Sequence, residues 1–222
     1  MQRKFKLLFV VKKLEKKKLF IYPCNGNGID ALHCIDDTYE MLGFIDDSAE
    51  IVGKEVCGFT VYSRNILDDY PDAKVLAIAG NYMNYLEKTK CIISLGLSKE
   101  RFVTIAHKSA TISSLAILGT NVLIMAGAII PSNAIIGDHV LILPGSIIHH
   151  DVEIGEYTTI GSQVIIAGNV KIGKNCFIAS GTIIIDNVTI GDRAFTGFGS
   201  NVICKVDADA KVFGNPARKI KL

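Results

Sequence analysis

Two adjacent histidines and an aspartate, His149-His150-Asp151, are the residues of this 222-residue chain best placed to do chemistry. A neutral imidazole has an ordinary pKa of about 6.5 and can take up a proton at neutral pH. A neighbouring carboxylate can orient the ring and stabilise its cationic form. Adjacent residues point to opposite sides of a strand, so His150 and Asp151 can cooperate only if the chain turns there. The alternative is an ordinary surface corner, which tolerates any polar residue.

The histidines interrupt a six-residue repeat that runs from Ile112 to Val202. Every sixth position is aliphatic except Thr196, and the residue two positions earlier is small or β-branched. Side chains two apart share one face of a strand, and six is even, so both columns belong to one buried face. No helix returns to the same face after six residues. The repeat therefore predicts a stacked β-solenoid, whereas an ordinary β-sandwich would show irregular strand spacing.

Upstream of residue 108 the repeat is absent, and strand and helix patterns alternate. Residues 19–22 predict a strand that leads into a glycine loop at 23–28. The helix predicted after the loop has apolar residues three or four positions apart: Leu32, Ile35, Tyr39 and Leu42. Further strands are expected at 44–47, 75–79 and 102–105, and a helix at 83–95. This order indicates a small Rossmann-like α/β unit whose ligand would lie beyond the carboxyl ends of its strands.

The loop Gly26-Asn27-Gly28 can offer backbone N–H groups to a phosphate, but it lacks the GxGxxG pattern, and glycine is common in turns for its positive φ. Asp46-Asp47 at a strand end can accept hydrogen bonds from a ribose or base, and paired aspartates are equally ordinary in turns. For each of the two motifs, the residues alone are consistent with a ligand site and with an ordinary turn.

The composition is that of a soluble globular protein, with 49% hydrophobic and 21% charged residues and a formal net charge of +2. The leading segment, residues 1–17, is basic. We expect a flexible extension there, and contact with an anionic membrane surface is the alternative. Its apolar run is too short for a secretory signal, and no membrane span is predicted, so we expect a cytoplasmic protein. The six cysteines lack metal-ligand spacing, so we expect reduced thiols and no metal site.

Three stretches resemble one family: residues 148–157, residues 167–177 and the closing Gly214-Asn215-Pro216-Ala217-Arg218-Lys219. The chain is similar over residues 18–222 to the hexapeptide-repeat, left-handed β-helix acyltransferases. Within them it resembles the bacterial nucleotide-aminosugar N-acetyltransferases and the related sialic acid O-acetyltransferases. The resemblance implies a Rossmann-like nucleotide-sugar domain at 18–107 followed by a left-handed parallel β-helix with a C-terminal tail at 108–222.

The resemblance further implies an acetyl-CoA-dependent N-acetyltransferase that acts by direct transfer on a UDP- or dTDP-linked amino deoxysugar for a surface glycan. An active site between the subunits of a homotrimer is expected, and no nucleic acid partner. The alternatives are O-acetylation of sialic or a related nonulosonic acid, and a non-enzymatic scaffold.

By the same resemblance His150 is the general base, Asp151 its acidic partner, and Gly168 N–H a donor to the thioester oxyanion. The resemblance also implies the residues that contact the cofactor, which are Thr159, Gly168, Ala179, Ser180, Gly197, Phe198, Asn215, Pro216, Ala217, Arg218 and Lys219. Thr159 stands where the family often has histidine. The residues implied to contact the substrate are Asn25, Gly26, Asn27, Asp46, Asp47, Gly80 and Leu143. Among them, Asn27 and Leu143 replace other residues that members of the family have.

Overall fold

The structure is a computed structural model that describes residues 15–220. Most of the predicted basic extension therefore lies outside the described residues. The α/β unit comes first, and its elements in chain order are β1 (Lys17–Tyr22), α1 (Gly26–Asp30), β2 (Tyr39–Ile45), β3 (Glu55–Val56), β4 (Phe59–Tyr62), α2 (Ile66–Asp69), β5 (Lys74–Ala77) and α3 (Lys88–Ile93). Short 3-10 turns occupy Ala31–Cys34, Tyr85–Glu87 and Lys99–Arg101.

The sheet of this unit has the strand order β3-β4-β2-β1-β5, and all its pairs are parallel except β3 with β4. The chain moves from β1 to one side through β2 and β4, and then returns to the other side of β1 with β5. In sheets of this kind the ligand crevice lies at the carboxyl ends of the two strands between which the strand order reverses, and these strands are β1 and β5 here. This is the Rossmann-like arrangement that the sequence predicts, and the crevice is where such sheets bind ligands.

The predicted helix over Leu32 to Leu42 is wrong. The helical turns end at Cys34, and Tyr39 and Leu42 belong to β2. Asp36 stops the helix, because its carboxylate accepts the Thr38 N–H at 2.9 Å and its carbonyl accepts the Tyr39 N–H at 3.2 Å. Such local side-chain bonds compete with helix formation. The helix predicted at 83–95 is also shorter than expected, since it comprises only the second 3-10 turn and α3.

The solenoid follows as short strands, which in chain order are β6 (Ile105–Ala106), β7 (Thr111–Ile112), β8 (Ile117–Leu118), β9 (Leu123–Ile124), β10 (Ile129–Ile130), β11 (Ile135–Ile136), β12 (Leu141–Ile142), β13 (Ile147–Ile148), β14 (Glu153–Ile154), β15 (Thr159–Ile160), β16 (Ile165–Ile166), β17 (Lys171–Ile172), β18 (Phe177–Ile178), β19 (Ile183–Ile184), β20 (Thr189–Ile190), β21 (Phe195–Thr196), β22 (Asn201–Val202), β23 (Lys211–Phe213) and β24 (Arg218–Lys219).

These strands form three parallel sheets, and only β24 is antiparallel to its neighbour. Sheet I contains β6, β9, β12, β15, β18, β21, β23 and β24; sheet II contains β7, β10, β13, β16, β19 and β22; sheet III contains β8, β11, β14, β17 and β20. Partners in a sheet lie 18 residues apart, as in Ile165 with Ile183, so three hexads make one coil. The predicted β-solenoid is confirmed.

The aliphatic column predicted from the repeat fills the inside of the coils. Ile130, Ile148 and Ile166 are completely buried, and the residues two positions before each aliphatic side chain pack in the same core. Each buried aliphatic side chain contributes about 1.5–3 kcal/mol. At the corners the chain turns through a residue with positive φ, which is mostly Gly or Asn, and also Asp151. These types adopt left-handed backbone more readily than other residues.

The α/β unit packs against sheet I. Leu123 and Leu141, which point outward from that sheet, join the core of the α/β unit, and Tyr85 packs on the rings of Phe177 and Phe195. Sheets II and III face away from the α/β unit, because they form the other two sides of the same coils.

Candidate active site

The corner between sheets II and III carries the residues predicted to do chemistry. Because one coil is 18 residues, the same corner position recurs in six successive coils, as Ser114, Ser132, His150, Gly168, Asp186 and Cys204. His150 lies between β13 and β14, and Gly168 lies one coil further along. The sequence thus sets His150 and Gly168 side by side on one edge of the solenoid.

His150 and Asp151 are brought together by the turn that their cooperation requires. Asp151 has a φ of 59°, and its Oδ2 lies 2.7 Å from Nδ1 of His150. The other carboxylate oxygen accepts a hydrogen bond from Asn133 Nδ2 at 3.0 Å. These hydrogen bonds, chiefly the one with His150, lower the pKa of the Asp151 carboxyl from its ordinary value. With Nδ1 held as the donor to this carboxylate, Nε2 is the ring nitrogen that can accept a proton.

Gly168 leaves room for the imidazole ring. A Cβ placed on Gly168 would lie 2.8 Å from Cε1 and 2.9 Å from Nε2 of His150, so no larger residue fits while the ring keeps this position. The Gly168 N–H donates to Asp186 Oδ1 at 2.9 Å. The oxyanion role predicted for this N–H therefore requires the thioester oxygen to replace the Asp186 carboxylate. Asp186 was not singled out in the sequence; the 18-residue interval from Gly168 is the signal that could have found it.

The predicted substrate residues of the α/β unit gather at the crevice between β1 and β5. Asn25 accepts the Gly28 N–H at 2.8 Å as the cap of α1, and its Nδ2 donates to Ile78 O at 3.3 Å. This second hydrogen bond connects the loop after β1 to the end of β5, and Gly80 follows that strand. Gly26 and Asn27 lie next to Asn25, at the start of α1.

Asp46 and Asp47 follow β2 at the same edge of the sheet, but their carboxylates are engaged within the protein. Asp46 accepts the backbone N–H groups of Cys24 at 3.0 Å and of Ser48 at 2.9 Å. Asp47 pairs with Arg64 and accepts the Tyr22 hydroxyl at 2.8 Å. Burial and the Asp47 carboxylate raise the pKa of the Tyr22 hydroxyl. The two aspartates thus hold the loop around the crevice in place.

Apart from Gly168, the predicted cofactor residues lie away from His150 within one chain. Ser180 and Phe198 occupy the corner between sheets I and II, and Phe198 is exposed with its ring against Tyr82, at a centroid distance of 6.1 Å. Ala179 is buried among aromatic rings, and Gly197 lies under the ring of Phe213.

The C-terminal tail closes the last coil. β23 and β24 form a hairpin in which Ala217 N–H donates to Asn201 O at 2.8 Å. The tail residues Asn215, Pro216, Arg218 and Lys219 are exposed, whereas Ala217 is buried.

Two further predicted residues face the α/β unit. Leu143 packs at the edge of the core that this unit shares with sheet I. Thr159 is buried, and its hydroxyl accepts a hydrogen bond from Lys88 Nζ at 3.2 Å. Lys88 is itself 1% exposed, and burial lowers the pKa of its ammonium to about 7.

Polar groups also join the α/β unit to the neighbouring corner of the solenoid. Asn121 accepts the Ala77 N–H at 2.8 Å and donates to Ala77 O at 2.7 Å, which extends the edge of β5. Its Nδ2 also lies 2.9 Å from His139 Nδ1, and the His139 ring stacks on Tyr157 at 4.6 Å. Burial lowers the pKa of His139 to about 4. His139 is therefore a neutral part of the contact between the two units.

Within residues 15–220, no group of three or more His, Cys, Asp or Glu side chains could hold a metal ion. Over the same residues, no helix has the length and apolarity needed to cross a bilayer.

Comparison with known proteins agrees with this architecture. The family model described as bacterial transferase hexapeptide (six repeats) matches residues 115–148, 133–168 and 169–204. No curated protein sequence matches the chain.

Several solved structures share the fold. A mutant of perosamine N-acetyltransferase from Caulobacter crescentus, in complex with CoA and GDP-perosamine, has a TM-score of 0.80 at 22% identity, over 93% of this chain and 97% of that chain. The acetyltransferase domain of PglB from Neisseria gonorrhoeae, in complex with acetyl coenzyme A, has a TM-score of 0.80 at 24% identity, over 93% of this chain and 100% of that one.

A more distant match is a mutant of AntD, an N-acyltransferase from Bacillus cereus, in complex with dTDP-4-amino-4,6-dideoxyglucose and coenzyme A. Its TM-score is 0.51 at 24% identity, over 53% of this chain and 79% of that one. The first two matches extend over both the α/β unit and the solenoid, so the likeness includes the order of the two domains. The model of bacterial transferase hexapeptide repeats thus matches residues 115–204, and the chain as a whole has the fold of a small α/β domain followed by a left-handed β-helix.

Proposed function

We propose that this protein is an acetyl-CoA-dependent N-acetyltransferase that acylates the amino group of a nucleotide-linked amino deoxysugar. The observation that carries the proposal is the His150–Asp151 pair, with Cε1 and Nε2 of the ring lying beside Gly168 on a hexapeptide-repeat edge. UDP or dTDP is the nucleotide expected from the sequence. GDP is a third candidate nucleotide, because the relative from Caulobacter crescentus is described in complex with GDP-perosamine.

His150 is the proposed general base. Its Nε2 takes a proton from the sugar amine as the amine nitrogen bonds to the thioester carbonyl carbon, and the Asp151 carboxylate stabilises the imidazolium that forms. The same proton then passes to the sulfur as the C–S bond breaks, so no acyl-enzyme intermediate is needed. Holding both substrates on one edge contributes to the rate beside the base.

We propose that the complete site lies between two copies of the chain. The α/β unit covers sheet I, whereas His150 stands on the opposite corner, between sheets II and III. A nucleotide sugar held in the crevice of one chain therefore meets the His150 of another chain more readily than its own. The predicted homotrimer supplies this arrangement.

Sheet II offers the apolar surface that such an assembly needs. The outward residues of β10, β13, β16 and β19 are all isoleucine, and Ile129 and Ile183 are exposed. Ile147 and Ile165 between them are half-buried, and a partly exposed apolar stripe of this kind is typical of a protein interface. A second copy that covers sheet II would bring its own corners next to His150.

The donor would lie along this interface, near the corner between sheets I and II. Ser180 and Phe198 are located there, and the exposed Arg218 and Lys219 of the tail can meet the phosphates of coenzyme A. Of the proposed donor contacts, Thr159 and Ala179 have buried side chains, and the Thr159 hydroxyl is already bonded to Lys88. The cytoplasm remains the proposed location.

A thermal-shift panel tests the proposal, because a ligand that binds only the folded state raises Tm. The panel contains acetyl-CoA, GDP-perosamine, dTDP-4-amino-4,6-dideoxyglucose and its UDP-linked counterpart, with the free nucleotides as controls. We expect acetyl-CoA and at least one amino sugar to raise Tm by several degrees, and the pair to form an acetylated sugar. Absence of acetyl-CoA binding would support a non-enzymatic scaffold. Transfer to a hydroxyl of sialic acid, with no transfer to any amine, would support an O-acetyltransferase.

A further inference from the structure

The corner that carries His150 also carries a carboxylate that the proposed mechanism does not use. Asp186 Oδ1 would lie 3.3 Å from a Cβ placed on Gly168, and His150 Nε2 would lie 2.9 Å from the same point. Both atoms therefore lie beside the face of Gly168 that carries no side chain, and they are no more than about 6 Å apart. An amine nitrogen of the acceptor that lies outside Gly168, about 3 Å from each atom, can form hydrogen bonds of ordinary length to both.

Asp186 is chemically available for such a ligand. Its Oδ1 accepts the Gly168 N–H at 2.9 Å. None of the ion pairs formed among residues 15–220 includes Asp186. The residue is exposed at its corner, so a solute can reach the carboxylate.

The hydrogen bond to the Gly168 N–H joins two successive coils, and on its own it would give Asp186 a purely structural role. Two other aspartates form hydrogen bonds of the same kind. Asp192 accepts the Lys174 N–H at 2.8 Å, and Asp138 accepts the Thr120 N–H at 2.6 Å, each across 18 residues. These two carboxylates lie at the corner between sheets III and I, away from His150. Asp186 repeats their geometry on the edge of the candidate active site, and this location distinguishes it from them.

We propose that Asp186 makes this edge specific for a protonated amine, and so selects N-acylation over O-acylation. This inference rests on the proposed function and specifies its acceptor. A free amino sugar is largely an ammonium ion at neutral pH, and a carboxylate attracts the ammonium form but gains far less from a neutral hydroxyl. Asp186 is thus a positioning residue that holds the acceptor nitrogen facing His150 Nε2.

The proton balance follows from this arrangement. The bound R–NH3+ first loses one proton to solvent through His150. The neutral amine then forms the C–N bond, and its second proton passes to Nε2. The C–S bond breaks, and the thiolate takes that proton from His150, which gives the amide, the thiol and one released proton. When the ammonium replaces the Gly168 N–H as the partner of Asp186, that N–H becomes free for the thioester oxygen.

Asp186→Asn tests the inference, because the amide oxygen can still accept the Gly168 N–H while the charge is lost. Asp192→Asn is the matched control, since it makes the same change in the same kind of coil-to-coil bond. The acceptor is the amino sugar of the panel that the wild type acetylates fastest, and its hydroxyl analogue is the competitor. We expect Asp186→Asn to raise KM for the amino sugar about 10-fold or more, with kcat within about 3-fold and KM for acetyl-CoA unchanged. Asp192→Asn should leave all three constants unchanged.

The pH profile separates charge recognition from a merely structural role. In the wild type, KM for the amino sugar should rise as the pH passes the pKa of the amine, because the neutral amine loses its attraction to Asp186. In Asp186→Asn this rise should disappear. A variant with the KM and pH profile of an active wild type would overturn the inference and leave the proposed function standing. A wild type that acetylates no amine of the panel would overturn both.

Discussion

His150 is held by neighbours on several sides, and its reactivity depends on each of them. Asp151 fixes Nδ1 through the 2.7 Å contact, Asn133 supports Asp151, and the missing side chain of Gly168 leaves space for the Nε2 side of the ring. The base is therefore a property of a local arrangement that two successive coils create.

Gly168→Ala should displace the imidazole, because the new methyl group would lie 2.8 Å from Cε1. We expect kcat to fall about 10- to 100-fold, since misplacing a catalytic group by about 1 Å costs rate in this range. The free energy of unfolding should change little, because the ring can swing into solvent. The measurement is steady-state kinetics together with thermal unfolding.

A double variant supplies the control for this interpretation. If Gly168 acts by making room for the ring, Gly168→Ala should cost nothing further in a protein that already carries His150→Ala. An additional loss of the same size in the double variant would show that Gly168 acts independently of His150, for instance through its N–H.

Some of the individual residues of the candidate site could be predicted from the sequence. His150 and Asp151 stand out because they break a regular six-residue background, and the structure joins them as expected. Asp186 is harder to find, since its partner Gly168 is 18 residues away and only the length of one coil relates the two. The engagement of Asp46 and Asp47 with other residues of the loop region also depends on tertiary contacts.

Among the elements, the contact between β5 and the solenoid depends on one buried side chain. Asn121 is 2% exposed and satisfies both backbone groups of Ala77. Asn121→Ala would leave a buried N–H and a buried carbonyl without partners, so we expect a loss of about 2–4 kcal/mol in the free energy of unfolding. Chemical denaturation measures this loss.

The backbone conformation of Asn121 requires a matched control. Asn121 has a φ of 58°, so alanine there also suffers conformational strain. Asn187→Ala changes an exposed asparagine with a φ of 63° at another corner, and it should cost only that strain. Equal losses in the two variants would contradict a role for Asn121 in joining the units.

The buried Lys88 makes the contact between α3 and sheet I sensitive to pH. Burial lowers the pKa of Lys88 to about 7 from an ordinary value of 10.5, so between these values the unfolded chain binds a proton that the folded chain lacks. Stability therefore rises with pH through this window and falls toward pH 7. Lys88→Met should remove this slope and raise the free energy of unfolding at pH 7 by about 1–3 kcal/mol.

The measurement is the Tm of the wild type and of Lys88→Met at several pH values from 7 to 10, which gives the change of stability with pH for each protein. His139, with its pKa lowered to about 4, adds a second loss of stability below its ordinary value of 6.5, which both proteins share. A wild type whose Tm is flat between pH 7 and 10 would contradict the account of Lys88.

Elements differ in how far the sequence predicts them. The coils follow from the repeat, because each hexad buries its aliphatic residue in the same way. The helix expected through Tyr39 is wrong, because a short apolar spacing cannot be told from a strand buried on both faces, and the Asp36 turn decides between them. No spacing in the sequence indicates that the α/β unit covers sheet I.

In the whole molecule, we infer that the crevice of the α/β unit and the His150 of one chain face different neighbouring chains. Mixed oligomers test it. His150→Ala removes the base, and Asn25→Ala weakens the crevice by removing the cap of α1 and the bond to Ile78 O. If the site lies between chains, co-assembled variants should regain up to about a quarter of wild-type activity, since that share of neighbouring pairs combines two intact halves.

Each variant alone should show almost no turnover, and mixing intact oligomers without exchange of subunits should restore nothing. Absence of activity in co-assembled oligomers, with both variants folded, would indicate that each chain carries a complete site.

The role of His150 in acetyl transfer is measured with acetyl-CoA and the amino sugars of the panel, with wild type and His150→Ala side by side. Mass analysis of the sugar identifies the acetylated position, and release of free thiol gives the rate. We predict N-acetylation by the wild type, a fall in kcat of about 100-fold or more in His150→Ala and little change in KM for acetyl-CoA. Wild-type kcat in His150→Ala, or no transfer to any amine by the wild type, would contradict this prediction.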